Sequence, residues 1–243
     1  MHARVPPLAI LAAAALAVSC GEVSRLRARC LSGEVPACTQ LGDMYASGRG
    51  VDRDLGRAVE MYGRACDAGA ADVCNTLGEI SEKTSDFEGG MERATAMFER
   101  ACSGGSSAGC LNFGLAFAAR DDMGRAIALY ERSCTGGWAP GCHQLGLVYD
   151  QGEGVAKDVT RALAFYQQAC EGEFVESCVN AGNIYLAGAL VARDVPAATR
   201  LYGRAITVLD EACAAGSDRD CTERDRLRTR LAVAAATAPG PAK

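Results

Sequence analysis

Apolar positions recur along most of this chain at the spacing of a helix's buried face, and the same stretch is written several times. Arg57-Ala58-Val59-Glu60-Met61-Tyr62-Gly63-Arg64-Ala65-Cys66 is matched by Arg93-Ala94 to Cys102, Arg125-Ala126 to Cys134 and Arg161-Ala162 to Cys170. In each, alanine stands eight residues and an aromatic (Tyr62, Phe98, Tyr130, Tyr166) four residues before the cysteine, so all three share one face of a predicted helix. Three residues past the cysteine comes glycine in five stretches (Gly33, Gly69, Gly105, Gly137, Gly216), and in the other it is shifted to Gly172. Glycine there suits the left-handed residue that closes a helix. A second helix is predicted within a few residues, since Pro36 and Pro140 suit a helix's first turn.

Another cysteine falls early in that second helix. Twelve of the 13 cysteines form six pairs with one offset of eight: Cys30 and Cys38, Cys66 and Cys74, Cys102 and Cys110, Cys134 and Cys142, Cys170 and Cys178, and Cys213 and Cys221. Two residues so spaced across a tight helix-helix turn can bring their Cα atoms within the ~4.4–6.8 Å that a disulfide requires. Beyond the second cysteine come an apolar residue and glycine: Leu41-Gly42, Leu77-Gly78, Phe113-Gly114, Leu145-Gly146 and Ala181-Gly182. Glycine inside a helix costs ~1 kcal/mol against alanine, so its recurrence predicts another helix packed too close for a side chain. An aromatic follows at Tyr45, Phe117, Tyr149 and Tyr185, and then a loop, glycine-rich in Gly48 to Asp52 and Gly152 to Asp158. The first cysteines recur after 36, 36, 32, 36 and 43 residues, a period that predicts an all-α solenoid.

These residues closely resemble the SEL-1-like repeat, a relative of the tetratricopeptide repeat. The resemblance covers roughly residues 22 to 225. It implies about six helix-turn-helix modules of about 36 residues, stacked as a right-handed superhelix with a concave face. The cysteine pairs bring the chain nearer to the cysteine-rich branch of that family, known from secreted Helicobacter proteins. That branch implies a disulfide clasp on each hairpin, one per cysteine pair. Two departures matter. After Tyr202-Gly203-Arg204-Ala205 comes Ile206 where cysteine is expected, and Cys213 arrives seven residues later, nearly two turns on and on the same face. Residues 222 to 230 are heavily charged and lack the Leu-Gly and tyrosine positions, which predicts a polar capping helix.

The thirteenth cysteine, Cys20, ends a segment of another kind: His2 and Arg4, an apolar run from Leu8 to Val18, then Ser19. This is the pattern of a secretory signal, too short for a membrane span. Ala17-Val18-Ser19-Cys20 resembles a bacterial lipobox, which implies acylation of Cys20; alanine stands at Ala17 where leucine is usual. Ordinary cleavage after Ser19 or Ala17, leaving one free thiol, is the alternative. The expected organisation is a signal peptide over 1–19, the repeat array with its capping helix over 20–234 and a disordered tail over 235–243. Export and paired cysteines agree, because disulfides persist outside the cytosol. The expected location is the cell envelope, with the chain lipid-anchored in the periplasm or secreted. Gly21 lacks the aspartate that holds enteric lipoproteins at the inner membrane, which leaves the outer membrane open.

The formal net charge of −5, one unit more negative once Arg4 leaves with the signal, argues against nucleic acid and against a polybasic membrane patch. Candidate chemistry is sparse. Some cysteine-rich relatives are described as weak β-lactamases or penicillin binders, so the resemblance implies that activity as an alternative. No serine here has lysine three places on, and Lys83-Thr84-Ser85 matches only part of the lysine-threonine-glycine element. His143 is the one histidine beyond the signal, too few for a zinc site. As a general base it lacks a partner visible in sequence, since Cys142 is assigned to a bridge. No CxxC redox pair occurs.

The tyrosines' fixed register assigns them to the core. Trp138 falls outside the repeat pattern at a turn, with Phe174 similarly placed, and both are candidate partner contacts. The favoured reading is a non-enzymatic, monomeric scaffold that binds a protein or peptide along its concave face. It needs no cofactor or metal and reaches the membrane only through a lipid on Cys20.

Overall fold

The computed structural model describes residues 21–83 and 90–236. The signal segment, Cys20, Thr84, Ser85 and residues 237–243 lie outside that range. Among the described residues every regular element is an α-helix. In chain order they are α1 (21–31), α2 (Val35–Ser47), α3 (Leu55–Asp67), α4 (Ala71–Lys83), α5 (Gly90–Ser103), α6 (Ser107–Ala118), α7 (Met123–Thr135), α8 (Ala139–Gln151), α9 (Val159–Glu171), α10 (Val175–Ala187), α11 (Val195–Ala214) and α12 (Asp218–Ala236). Helix α12 therefore covers the first two residues that the sequence assigns to the tail. The chain forms two compact units, one up to Asn112 and the other from Phe113.

Odd-numbered helices end on a first cysteine and even-numbered helices begin near a second. The turn between them is closed by the left-handed residue three past the cysteine, as at Gly69, where φ is +94°. In the fifth turn the left-handed position does not shift to Gly172. It stays in register and falls on Glu173, at φ +63°, which costs about 1 kcal/mol relative to glycine.

Each turn carries its bridge. Cys30 is joined to Cys38, Cys66 to Cys74, Cys102 to Cys110, Cys134 to Cys142, Cys170 to Cys178 and Cys213 to Cys221, with Cα–Cα separations from 4.3 to 4.8 Å. The second cysteines also reach back to the end of the preceding helix. The sulfurs of Cys74, Cys110 and Cys178 lie 3.6, 3.7 and 3.7 Å from the carbonyl oxygens of Cys66, Cys102 and Cys170. The ten sulfurs of the first five bridges belong to residues no more than 4% exposed, whereas Cys213 and Cys221 are part-exposed.

The turn from an even helix to the next odd one is organised differently. Glycine four residues past the second cysteine receives the aromatic ring of the following helix: Tyr62 lies on Gly42, Phe98 on Gly78, Tyr130 on Gly114, Tyr166 on Gly146 and Tyr202 on Gly182. A Cβ on Gly42 would stand 2.5 Å from the Tyr62 ring, so the absent side chain is what lets the helices meet. Aspartate caps the incoming helix. Asp54, Asp122, Asp158 and Asp194 accept the backbone N–H three residues on at 2.9, 3.2, 3.0 and 2.8 Å. Such a cap contributes about 1 kcal/mol. The same aspartates donate their own N–H back to the outgoing helix, Asp54 to the Tyr45 carbonyl at 2.9 Å and Asp158 to that of Tyr149 at 2.8 Å. Arg57, Arg125 and Arg161 lie over the Tyr45, Phe117 and Tyr149 rings at 5.5, 5.1 and 4.5 Å. These arginines, which open three of the four repeated stretches, thus join both ends of the loop.

In the first unit the core gathers Leu26, Leu41, Met61, Tyr62 and Leu77 around the Cys30–Cys38 bridge. The second unit packs Tyr149, Leu163 and Tyr166 in one cluster and Tyr202, Leu209 and Leu227 in another. The seven-residue delay before Cys213 lengthens α11 to 20 residues. Ala205, Leu209 and Cys213 then follow one another at four-residue steps down one face, which carries the packing onto α12.

Candidate interaction surface

The rings of the recurrent tyrosines are buried, but their hydroxyls reach toward the residue five past the second cysteine on the preceding even helix. Where that residue is polar the hydroxyl is used. Tyr62 donates to Asp43 Oδ1 at 2.7 Å, and Tyr202 donates to Asn183 Oδ1 at 2.6 Å. Asn183 also accepts from Arg230 Nη1 at 2.8 Å, which ties α10 to α12. Phe98 needs no such acceptor, and Glu79 turns instead to its own row. Asn75 Nδ2 donates to Glu79 Oε1 at 2.9 Å, while Asn112 Nδ2 donates to Asn75 Oδ1 at 2.8 Å and to Glu79 Oε1 at 3.3 Å, joining α4 to α6.

In α6 and α8 leucine (Leu115, Leu147) occupies the register that is polar in α2, α4 and α10 (Asp43, Glu79, Asn183). The Tyr166 hydroxyl, opposite Leu147, is fully buried and meets no partner at hydrogen-bond geometry. Burial pushes this phenol up to about 12; the Asp150 charge adds to the shift, and the nearby Asn180 side chain offsets part of it. Tyr62 is shifted the same way, by burial and then by the Asp43 carboxylate.

The pair predicts opposite results from one substitution. Tyr62→Phe removes a hydrogen bond to a carboxylate and is expected to destabilise by about 1–2 kcal/mol, whereas Tyr166→Phe removes a stranded polar group and is expected to stabilise by about 1 kcal/mol. Chemical denaturation midpoints measure both. A loss of stability in Tyr166→Phe would show that Asn180 swings round to satisfy the hydroxyl.

His143 is half-buried on α8. Its Nδ1 lies 2.7 Å from Ser177 Oγ on α10, and its ring packs on Phe174 at 4.8 Å and Tyr166 at 5.7 Å. Burial lowers its pKa, with the Glu176 charge opposing. Histidine beside a serine hydroxyl is the start of a nucleophilic dyad, a partner that the sequence does not reveal. Ser177 is nevertheless fully buried, so no substrate carbonyl reaches it, and the contact serves to join α8 to α10. Among the described residues no group of three histidine, cysteine or acidic side chains is arranged to hold a metal ion.

The two turn aromatics separate. Trp138, before α8, is 44% exposed. Phe174, before α10, folds onto His143 and lines a groove of about 710 Å³ between α10 and α12. The groove's floor is Phe174, Val175, Val179 and Leu209, and its rim carries Glu176, Arg219, Glu223 and Arg226. Phe174 stands out in the sequence but Val179 and Arg226 do not, because their partners lie on or against the capping helix outside the repeat pattern.

Helix pairs held by glycine–aromatic contacts and stacked through short turns define an α-solenoid repeat protein. A family model described as the Sel1 repeat matches residues 35–69, 108–138, 139–173 and 175–207, more than half the chain. The chain belongs to the Sel1 repeat family. It is similar in fold to a Sel1 repeat protein of Oxalobacter formigenes, at 23% identity and a TM-score of 0.64, over 72% of this chain and 74% of that one. A protective antigen of uropathogenic Escherichia coli with the same repeat fold shares 18% identity at a TM-score of 0.55, over 91% of this chain and 60% of its own. An immunity protein of Pseudomonas aeruginosa shares 16% identity at a TM-score of 0.53, over 85% and 84%. No curated protein matches the chain. Sel1 repeat proteins are in general protein–protein interaction scaffolds.

The matched repeats run from an even helix to the next odd one, with α2 and α3 in 35–69 and α8 and α9 in 139–173. They are one helix out of step with the cysteine-phased module. Four of the bridges expected to clasp single hairpins therefore join successive even–odd helix pairs, while the first ties α1 to α2 and the last ties α11 to α12. Six bridges imply an oxidising, extracytoplasmic compartment. No helix among the described residues is long and apolar enough to cross a membrane.

Proposed function

We propose that this protein is a non-enzymatic scaffold of the bacterial cell envelope, held to the membrane by a lipid on Cys20, that docks a protein or peptide segment on its even-helix face. The observation that carries the reading is the groove between α10 and α12. Its apolar floor is ringed by side chains of both charges, which suits an extended or helical segment with one or two buried apolar anchors. Exposed Trp138 supplies a further contact at the turn before α8. The fully buried Ser177 hydroxyl supports a binding role over a hydrolytic one.

Photo-cross-linking residues placed singly at Val179 and Arg226 test this in cells, with Glu60 on α3 as control. The expected result is one partner captured from both groove positions, absent from the control and lost on Val179→Asp. Equal capture from all three positions would defeat the groove as the docking face. Mass spectrometry of the mature N-terminus tests the anchor: a diacylglyceryl-modified Cys20 supports it, and an unmodified Cys20 or a start after Ala17 refutes it.

A further inference from the structure

We propose that the last bridge, Cys213–Cys221, is a thiol–disulfide exchange site, reducible while the other five stay closed. Two independent observations carry this. Ten of the twelve paired cysteines are sealed in the core, whereas Cys213 and Cys221 are part-exposed. In addition, Arg224 places Nη1 3.1 Å from Cys213 Sγ. Arg224 is held there by Asp225 at 2.9 Å and Asp210 at 3.3 Å, and Arg228 takes Asp210 with two bonds of 2.9 and 3.0 Å. The guanidinium faces one sulfur of the pair, so the two are chemically unequal.

That inequality sets the direction of exchange. A thiolate of an external dithiol attacks Cys221 Sγ and forms a mixed disulfide. The Cys213–Cys221 bond breaks, and its electron pair leaves on Cys213 Sγ as a thiolate beside Arg224. The reductant's second thiol, as thiolate, then attacks its own sulfur in the mixed disulfide and releases Cys221 as a second thiolate. The two cysteines take protons from water, and the dithiol departs as an internal disulfide, two electrons poorer. A neighbouring cation favours the leaving thiolate, and a better leaving group exchanges faster. Because the bridge ties α12 to α11, opening it loosens the start of α12, where Arg219 and Glu223 form one wall of the groove.

Limiting dithiothreitol on the folded, fully oxidised protein, quenched with N-ethylmaleimide and mapped by peptide mass spectrometry, tests the site. Cys213 and Cys221 are expected to be labelled at least about tenfold sooner than any other bridged cysteine. Labelling of another pair first, or of all six together, overturns the proposal. Arg224→Gln is expected to slow this first reduction at least about threefold, while Arg228→Gln, which also strips Asp210 of a partner but leaves the sulfur contact, does not. Equal slowing in both variants, or faster reduction in Arg224→Gln from a loosened α12, overturns the guanidinium's role.

Discussion

Complete reduction of the six bridges is expected to lower the melting temperature by about 15 °C or more. Each bridge closes a loop of nine residues, for which the chain-entropy relation gives ~2.6 kcal/mol, so six independent bridges contribute up to ~15 kcal/mol. Half of that would rival the whole stability of a typical domain, ~5–15 kcal/mol. The position of the bridges sharpens the expectation, because four of them join successive even–odd helix pairs and the other two hold α1 and α12 to their neighbours. Their loss therefore weakens the contacts from which a repeat array draws its cooperativity. Calorimetry with and without excess reductant, with all twelve thiols verified by alkylation, measures the effect. An unchanged transition in the verified reduced protein would refute it.

Gly146→Ala is expected to destabilise by about 2–3 kcal/mol although alanine is the better helix former. The new Cβ would stand 2.4 Å from two atoms of the Tyr166 ring. That ring is fully buried and cannot swing away, so α8 and α9 must move apart. Gly63→Ala on α3 is the matched control, since its Cβ would meet nothing within 4 Å and the change is expected to stabilise by up to about 1 kcal/mol. Opposite signs for one substitution at two mid-helix glycines would separate packing from propensity. Stabilisation at both positions would show that the glycine–aromatic contact yields easily.

Much of this architecture is legible in the chain because it repeats. One helical face written over and over exposes Ala58, Tyr62 and Cys66 as a buried stripe, and the recurring Gly42 position marks a close approach before its neighbour is known. The aspartate caps are harder to see, because Asp54 and Asp158 stand in variable loops and their double role depends on where the preceding helix ends. The step between family repeat and cysteine module is invisible for another reason: a periodic pattern fixes the length of its unit but not where that unit starts. The His143–Ser177 contact links residues 34 apart, nearly one module, and follows only when adjacent modules are laid side by side. The groove rests on α12, which departs from the repeat altogether.

The short reach of each bridge also bears on how the chain acquires them. A cysteine's native partner is eight residues away, whereas the nearest cysteine of another pair is at least 24 residues away along the chain. Loop-closure probability falls with roughly the three-halves power of length, so the correct encounter is favoured about fivefold while the chain is still unfolded. A chain entering an oxidising compartment from its N-terminus would meet these pairs one at a time, each complete before the next arrives. Correct oxidation is then set by the order of the sequence itself, and repeats can be added to or removed from the array without any cysteine having to find a new mate.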